Sequence, residues 1–289
     1  MSYSISANTK RLYVTAFNTL KTFRRVYNLQ ELWPPHANEL VEFVSYLTYK
    51  QFSPNTIKSY ISGISYYCKL YNLQDTTQTF LLRKVLMGLG RWNNRTDNRK
   101  PITLEILHNI IQLLPTICKS MYESALFSAI FTTAFYGYFR MGELVQNSCH
   151  DPGHAIQIED VTYNTHTNAI HIFLKHSKTD QVGKGATVII SPTRQSLCPV
   201  ITIRAYMQMR HRSPGTFFCH LSGKPATRYQ VSAIFNMAIE KIGLDKQTYK
   251  FHSFRIGAAT SDWAMGVNEH DIAIKGRWKS RCLYRYIRN

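Results

Sequence analysis

Between two long stretches of regularly spaced apolar side chains lie ten residues, Arg91 to Lys100 (RWNNRTDNRK), with no apolar period. So polar and basic a segment has nothing to bury. It reads as a linker, and a chain interrupted there must build two separate cores. The expected division is residues 1–92 as one domain, 93–100 as the linker and 101–289 as the second domain. At 289 residues and 44% apolar content, the chain is long enough to bury both cores.

The first part reads as helices throughout. From Thr9 to Tyr27, Leu12, Tyr13, Ala16, Phe17, Leu20, Phe23 and Tyr27 recur at three- and four-residue steps, which lines them along one helix face. Pro34-Pro35 interrupts the pattern. A second helix is expected from about Ala37 to Lys50. A third begins at Ser53-Pro54, a cap followed by proline at the first helical position, with Ile57, Tyr60, Ile61, Ile64, Tyr67 and Cys68 on its buried stripe. A fourth runs near Thr79 to Leu89. Gln51 to Tyr71 carries Tyr, Ser, Asn and Lys side chains with few acids on its polar face, a composition suited to phosphate contacts or simply to water.

The second part mixes helix and strand. Pro101-Ile102-Thr103 starts a helix, with Thr103 as cap and Glu105 in the first turn, where the helix dipole favours an acid. Glu123 to Tyr138 is apolar enough to lie inside the core. Ala169 to Leu174 and Ala186 to Ile190 are β-rich and flank a polar turn containing Gly183 and Gly185, so a hairpin is expected. Helices resume from Pro199. The expected fold class is therefore mainly α with a small β-sheet: an all-helical N-terminal domain followed by a mixed α+β domain.

Thirty-five Lys and Arg stand against 17 Asp and Glu, a formal net charge of +18. A field of that size points to a polyanionic partner. The six cysteines form no C-x-x-C pair and the N-terminus lacks an apolar signal core, so a reducing, intracellular compartment is expected. No apolar run approaches the roughly 20 residues that span a bilayer, which argues against a membrane role. Nucleic acid is the polyanion that remains. Cys149, His150, His154, His171 and Cys198 show no zinc spacing, and no metal or other cofactor is expected.

Breaking a DNA backbone bond without a metal needs a nucleophile, cations that stabilise charge on the phosphoryl oxygens, and an acid for the leaving oxygen. The second domain holds candidates for all three: Arg140 in FYGYFRMGEL, Lys178 in KHSKTDQVGKG, His252 and Arg255 in FHSFRIGAAT, Trp278 in GRWKS, and Tyr286 in LYRYIRN. His252 and Arg255 are three apart and share a helix face, so both can reach one phosphate. Guanidiniums donate forked hydrogen bonds that a lysine reproduces poorly. Glu143, three residues after Arg140, is expected beside it on the same helix as an orienting partner. An imidazole titrates near neutrality, so His252 is suited to take a phenol proton or to bond the phosphate. Tyr284 and Tyr286 compete as nucleophile, but two helical residues differ by roughly 200° in direction, so only one faces the phosphate.

Arg-x-x-Glu, a hairpin lysine, His-x-x-Arg and a terminal Tyr-Ile-Arg, in this order, resemble the tyrosine recombinase, or phage-integrase, family. The resemblance covers the whole second domain, and the N-terminal helical segment is similar in size and place to the family's core-binding, DNA-binding domain. SKTDQ and GRWKS look most like its eukaryotic mobile-element branch, the Crypton-like and DIRS-like recombinases. The resemblance implies a site-specific recombinase or integrase that cuts and rejoins double-stranded DNA through a 3′-phosphotyrosine link. Tyr286 would be the nucleophile, Lys178 the acid for the 5′-oxygen, and Arg140, His252 and Arg255 the phosphate grip. It also implies a homo-tetramer on DNA, while the charge motivates a clamp in which the two domains close around the duplex; no membrane partner is expected, and the nucleus is expected if the host is eukaryotic. The family has His or Trp nine positions before the tyrosine. Arg277 stands there, and Trp278, whose indole N–H can donate to phosphate, is preferred for the role. A catalytically silent DNA-binding protein and a type IB topoisomerase-like enzyme are the alternatives.

Overall fold

Ser6 opens the first helix by accepting a hydrogen bond from the Thr9 N–H at 3.2 Å, and the chain then runs as α1 (Ala7–Val26). In the computed structural model, residues 5–92, 97–148, 154–177, 180, 183–194, 197–278 and 281–288 are described. The chain divides into two compact units, Met1–Asp97 and Asn98–Asn289.

The first unit is helical: α1, α2 (Ala37–Tyr49), α3 (Pro54–Leu70) and α4 (Phe80–Trp92). Ser53 caps α3 through the Thr56 N–H, with Pro54 in the first turn, as expected. The apolar stripes meet in one core of Leu20, Phe23, Leu40, Phe43, Leu47, Ile57, Ile61, Ile64 and Leu82. Two features depart from the sequence reading. The fourth helix continues past Leu89 to Trp92, taking in Arg91 and Trp92 from the stretch read as linker. Arg24 is only 4% exposed, and its guanidinium is paired with Glu39 (Nη2–Oε2 3.1 Å). Burial of a charge is tolerated here because the carboxylate and the Leu32 carbonyl accept from it.

The second unit is built around α6 (Met121–Tyr136), buried nearly all round. Packed about it are α5 (Leu104–Ile117), α8 (Pro199–Met209), α9 (Arg228–Lys241) and α10 (His252–Ala264), in a core that includes Leu107, Leu126, Ile130, Phe131, Ile203, Tyr206, Phe235 and Phe254. Thr103 caps α5 through the Ile106 N–H. The expected hairpin is present: β2 (Ala169–Leu174) pairs antiparallel with β3 (Ala186–Ile190), Ile172 opposite Val188. A further strand, β1 (Val161–Asn164), pairs with the other edge of β2 and completes a three-stranded antiparallel sheet. At four residues, half of them Thr and Asn, it was too short for its alternation to register in the sequence. Two short helices, α7 (Met141–Leu144) and α11 (Glu269–Gly276), and a 3₁₀ turn at Arg281–Arg285 finish the unit. No described helix is long and apolar enough to cross a membrane.

A second, smaller apolar cluster holds the end of the chain. Tyr138, Ala258, Ala259, Ile272, Trp278 and Leu283 are buried together, with Cys282, Tyr286 and Ile287 packed against them. It joins the turn after α6 to α10, α11 and the C-terminal turn. Most of the sequence-derived site residues gather there.

Candidate active site

α10 begins at His252, so His252 and Arg255 occupy its first turn on one face. The ring of Tyr286 lies over both: its centroid is 5.0 Å from that of His252, and the Arg255 Cζ is 5.6 Å from the Tyr286 ring centroid. Trp278 stacks on the same tyrosine, with centroids 4.5 Å apart and planes at 29°. Arg255 also lies 4.9 Å from the Trp278 ring. The first turn of α10 and the residue two places after α11 thus meet on one phenol. Tyr284 is 51% exposed, whereas Tyr286 is half-buried. The turn between them is 3₁₀ rather than α, and two residues still carry the side chains to different sides. Thr260 fixes the backbone here, its Oγ1 donating to the Tyr286 carbonyl at 3.2 Å and accepting from the Arg288 N–H at 3.1 Å.

Arg255 is 1% exposed, which the sequence did not foretell. Its two terminal nitrogens donate to the carbonyls of Tyr138 and Gly276, so the turn after α6 and the end of α11 are tied to α10 through one guanidinium. Its Nε, the Arg277 Nε and the Trp278 Nε1 are buried N–H donors with no acceptor among the described residues. Such donors are costly to bury unless an acceptor reaches them. Burial, then the neighbouring guanidiniums of Arg140 and Arg277, push Arg255 down to about 10, opposed by Glu143 and Tyr286. It therefore keeps its charge at neutral pH. Gly276 matters for packing, since a Cβ there would come within 2.3 Å of the Trp278 ring.

Arg140 is placed differently from expectation. It is the extended cap residue before α7 (φ −79°, ψ 142°), not a helical residue. Glu143, in the first turn of α7, reaches back to it. One carboxylate oxygen accepts from Arg140 Nη1 at 2.8 Å, and the other from the Arg140 backbone N–H at 2.8 Å. That second oxygen also faces Arg277 Nη2 at 3.3 Å. Arg277 takes the left-handed conformation that ends α11 (φ 55°, ψ 42°). Its guanidinium turns inward to the Gly137 and Tyr138 carbonyls, each at 3.0 Å, while Trp278 goes the other way to Tyr286. Burial lowers the Arg277 pKa, opposed by Glu143. The sequence named Arg277 only as a rival to Trp278; its place beside Glu143 depends on a residue 134 positions away.

Lys178 lies outside the described residues, as do Cys149 and His150. The turn preceding β3 is organised by Asp180, whose carboxylate accepts from the Gly183, Lys184 and Gly185 N–H groups. Among the described residues there is no cluster of three or more His, Cys, Asp or Glu that would hold a metal ion.

Chemically, the arrangement sets a phenol beside an imidazole and a buried guanidinium, with a second guanidinium close enough to Arg255 to act on it electrostatically. Charges of this kind, once an oxyanion had access to them, would stabilise it.

No family model matches the chain. It is 26% identical over 268 residues to an integrase/recombinase XerD homolog of Selenomonas ruminantium, covering 81% of this chain and 73% of that one. Among solved structures, it is similar to a lambda integrase dimer bound to a COC′ core site, with a TM-score of 0.68 and 14% identity over 98% of this chain and 72% of that chain. The Tn1549 transposon integrase in complex with circular intermediate DNA matches with a TM-score of 0.65 and 15% identity, over 99% of this chain and 91% of that chain. At these identities the structural likeness is one of fold. The mainly helical chain with its three-stranded sheet shares its fold with these integrase structures.

Proposed function

We propose that this protein is a site-specific DNA recombinase or integrase that cleaves and rejoins strands through a 3′-phosphotyrosine formed by Tyr286. One observation carries the reading: Tyr286 packs against His252, Arg255 and Trp278 at once, next to N–H donors that are buried without an acceptor among the described residues. A phosphate oxygen is the acceptor those donors suit. The sequence similarity to a recombinase supports the same reading.

In this scheme the Tyr286 oxygen attacks the scissile phosphorus and passes its proton to His252. Arg140 and Arg255 stabilise the added negative charge, and the Trp278 indole N–H donates to a phosphoryl oxygen. The bond to the 5′-oxygen breaks, and Lys178 protonates that oxygen as it leaves. A 5′-hydroxyl from the exchanging strand then reverses the step and releases Tyr286. One phosphodiester-type bond replaces another, so the reaction needs no nucleotide hydrolysis, and the arginines take the charge-stabilising part that a metal would otherwise fill. Because Arg255 is covered by the Tyr286 and Trp278 rings, those rings must shift before a phosphate reaches it.

The first unit serves as a DNA-binding partner in this reading, supported by the polar Tyr, Ser and Lys side chains of α3 and by the net charge of +18. Exchange between two sites calls for four subunits. The SKTDQ and GRWKS strings support a place in the Crypton-like and DIRS-like mobile-element branch, and hence a nuclear site of action in a eukaryotic host.

The test offers the protein a pool of nicked duplexes of randomised sequence, in which the cut end diffuses away and traps the covalent adduct. An adduct resistant to SDS is expected from the unsubstituted protein and from Tyr284→Phe, and none from Tyr286→Phe. An adduct lost in Tyr284→Phe and kept in Tyr286→Phe would reassign the nucleophile. DNA binding without any adduct would favour a non-cutting DNA-binding protein, and relaxation of supercoiled plasmid at many sites a topoisomerase.

A further inference from the structure

Glu143 is 5% exposed, and its carboxylate is held from two sides. Arg140 contacts both of its oxygens, through Nη1 and through its backbone N–H, each at 2.8 Å. Arg277 reaches one of them at 3.3 Å. Arg277 is itself pinned: the Gly137 and Tyr138 carbonyls accept from it, and its Cζ lies 4.8 Å from the Phe139 ring centroid. A planar fork can bond two carbonyls and a carboxylate together, which a lysine's point charge cannot. Without Arg277, Glu143 would keep a buried charge with one cationic partner fewer and a freer torsion.

We propose that Arg277 is a positioning residue acting through Glu143: it fixes the carboxylate so that the other oxygen holds the Arg140 guanidinium beside Arg255. This rests on the recombinase reading above. It gives the residue nine places before the tyrosine a task other than contacting phosphate, with the phosphate contact left to its neighbour Trp278. Removing one charge-assisted contact from such a chain slows the step it supports by about ten- to a hundredfold.

The test measures single-turnover adduct formation over a range of DNA concentrations, separating the plateau rate from the concentration at half-saturation. Arg277→Gln is expected to lower the plateau about ten- to a hundredfold and to leave half-saturation within about twofold. Arg277→Lys should recover part of the rate, because a cation still faces Glu143. On a Glu143→Gln background, Arg277→Gln should cost nothing more, since both substitutions break the same link. An unchanged plateau, a loss confined to half-saturation, or losses that multiply in the double variant would overturn the proposal. Should Arg277→Gln fail to fold, the same cycle with Arg277→Lys decides it by the same criterion. Absence of adduct from the unsubstituted protein would overturn the recombinase reading, and this inference with it.

Discussion

The indole of Trp278 and the phenol of Tyr286 are stacked with centroids 4.5 Å apart and planes at 29°, while Tyr138 meets the same indole edge-on at 5.9 Å. Trp278 thus stands between the nucleophile candidate and the turn after α6. It is 8% exposed, so Trp278→Ala should leave a cavity and cost about 3–5 kcal/mol in chemical denaturation of the chain. Trp278→Phe retains a stacking partner and should cost less. Adduct formation should fall in the same order, as Tyr286 loses its platform.

Arg255→Lys keeps the charge but cannot donate to the Tyr138 and Gly276 carbonyls at once. One carbonyl left unpaired should cost about 1–3 kcal/mol of stability, read from the urea midpoint. Loss of the forked donor should slow cleavage about a hundred- to a thousandfold, read from the adduct rate. A folded Arg255→Lys protein cleaving at the original rate would remove Arg255 from the phosphate grip.

Gly257 lies where α10 crosses the segment leading into α5, and a Cβ there would sit 1.9 Å from the Ile102 carbonyl oxygen. That backbone cannot simply retreat, because the Ile102 N–H donates to the Ser253 carbonyl at 3.0 Å. Gly257→Ala should cost about 3 kcal/mol or prevent folding of the second unit. Gly88 in α4 has nothing within 4 Å of an added Cβ. Gly88→Ala should therefore raise stability by about 0.5–1 kcal/mol. Melting curves of the two variants should shift in opposite directions.

The first unit should weaken in acid through Asp75. Burial alone would raise this carboxyl, but hydrogen bonds from Ser65, Thr77 and Lys69 outweigh it and hold the pKa below its ordinary value. A carboxyl with a depressed folded-state pKa adds stability that is complete above its unfolded pKa. That stability is lost as pH falls through the lower folded value. Urea midpoints measured from neutral pH down through the carboxylate range should decline, and Asp75→Asn should flatten that decline.

Helix starts, the hairpin and the shared face of His252 and Arg255 were legible in the residues because each depends on neighbours a few positions apart. Ser53 and Thr103 each cap a helix through the N–H three residues on, and a 3.6-residue period assigns a buried side without knowledge of what covers it. Contacts across the fold carry no such local sign. Arg255 bonds carbonyls 117 and 21 residues away, Arg24 spends a buried charge on Glu39, and the strand Val161–Asn164 exists because β2 offers it an edge. Arg277 and Trp278 are the plainest case. They are adjacent in the chain, and a single left-handed residue sends one side chain to Glu143 and the other to Tyr286. Sequence alone determined which residue types stand ready for the chemistry; only tertiary packing decided which of them meet, because long-range partners are selected by the shape and charge of surfaces that form when the chain closes on itself.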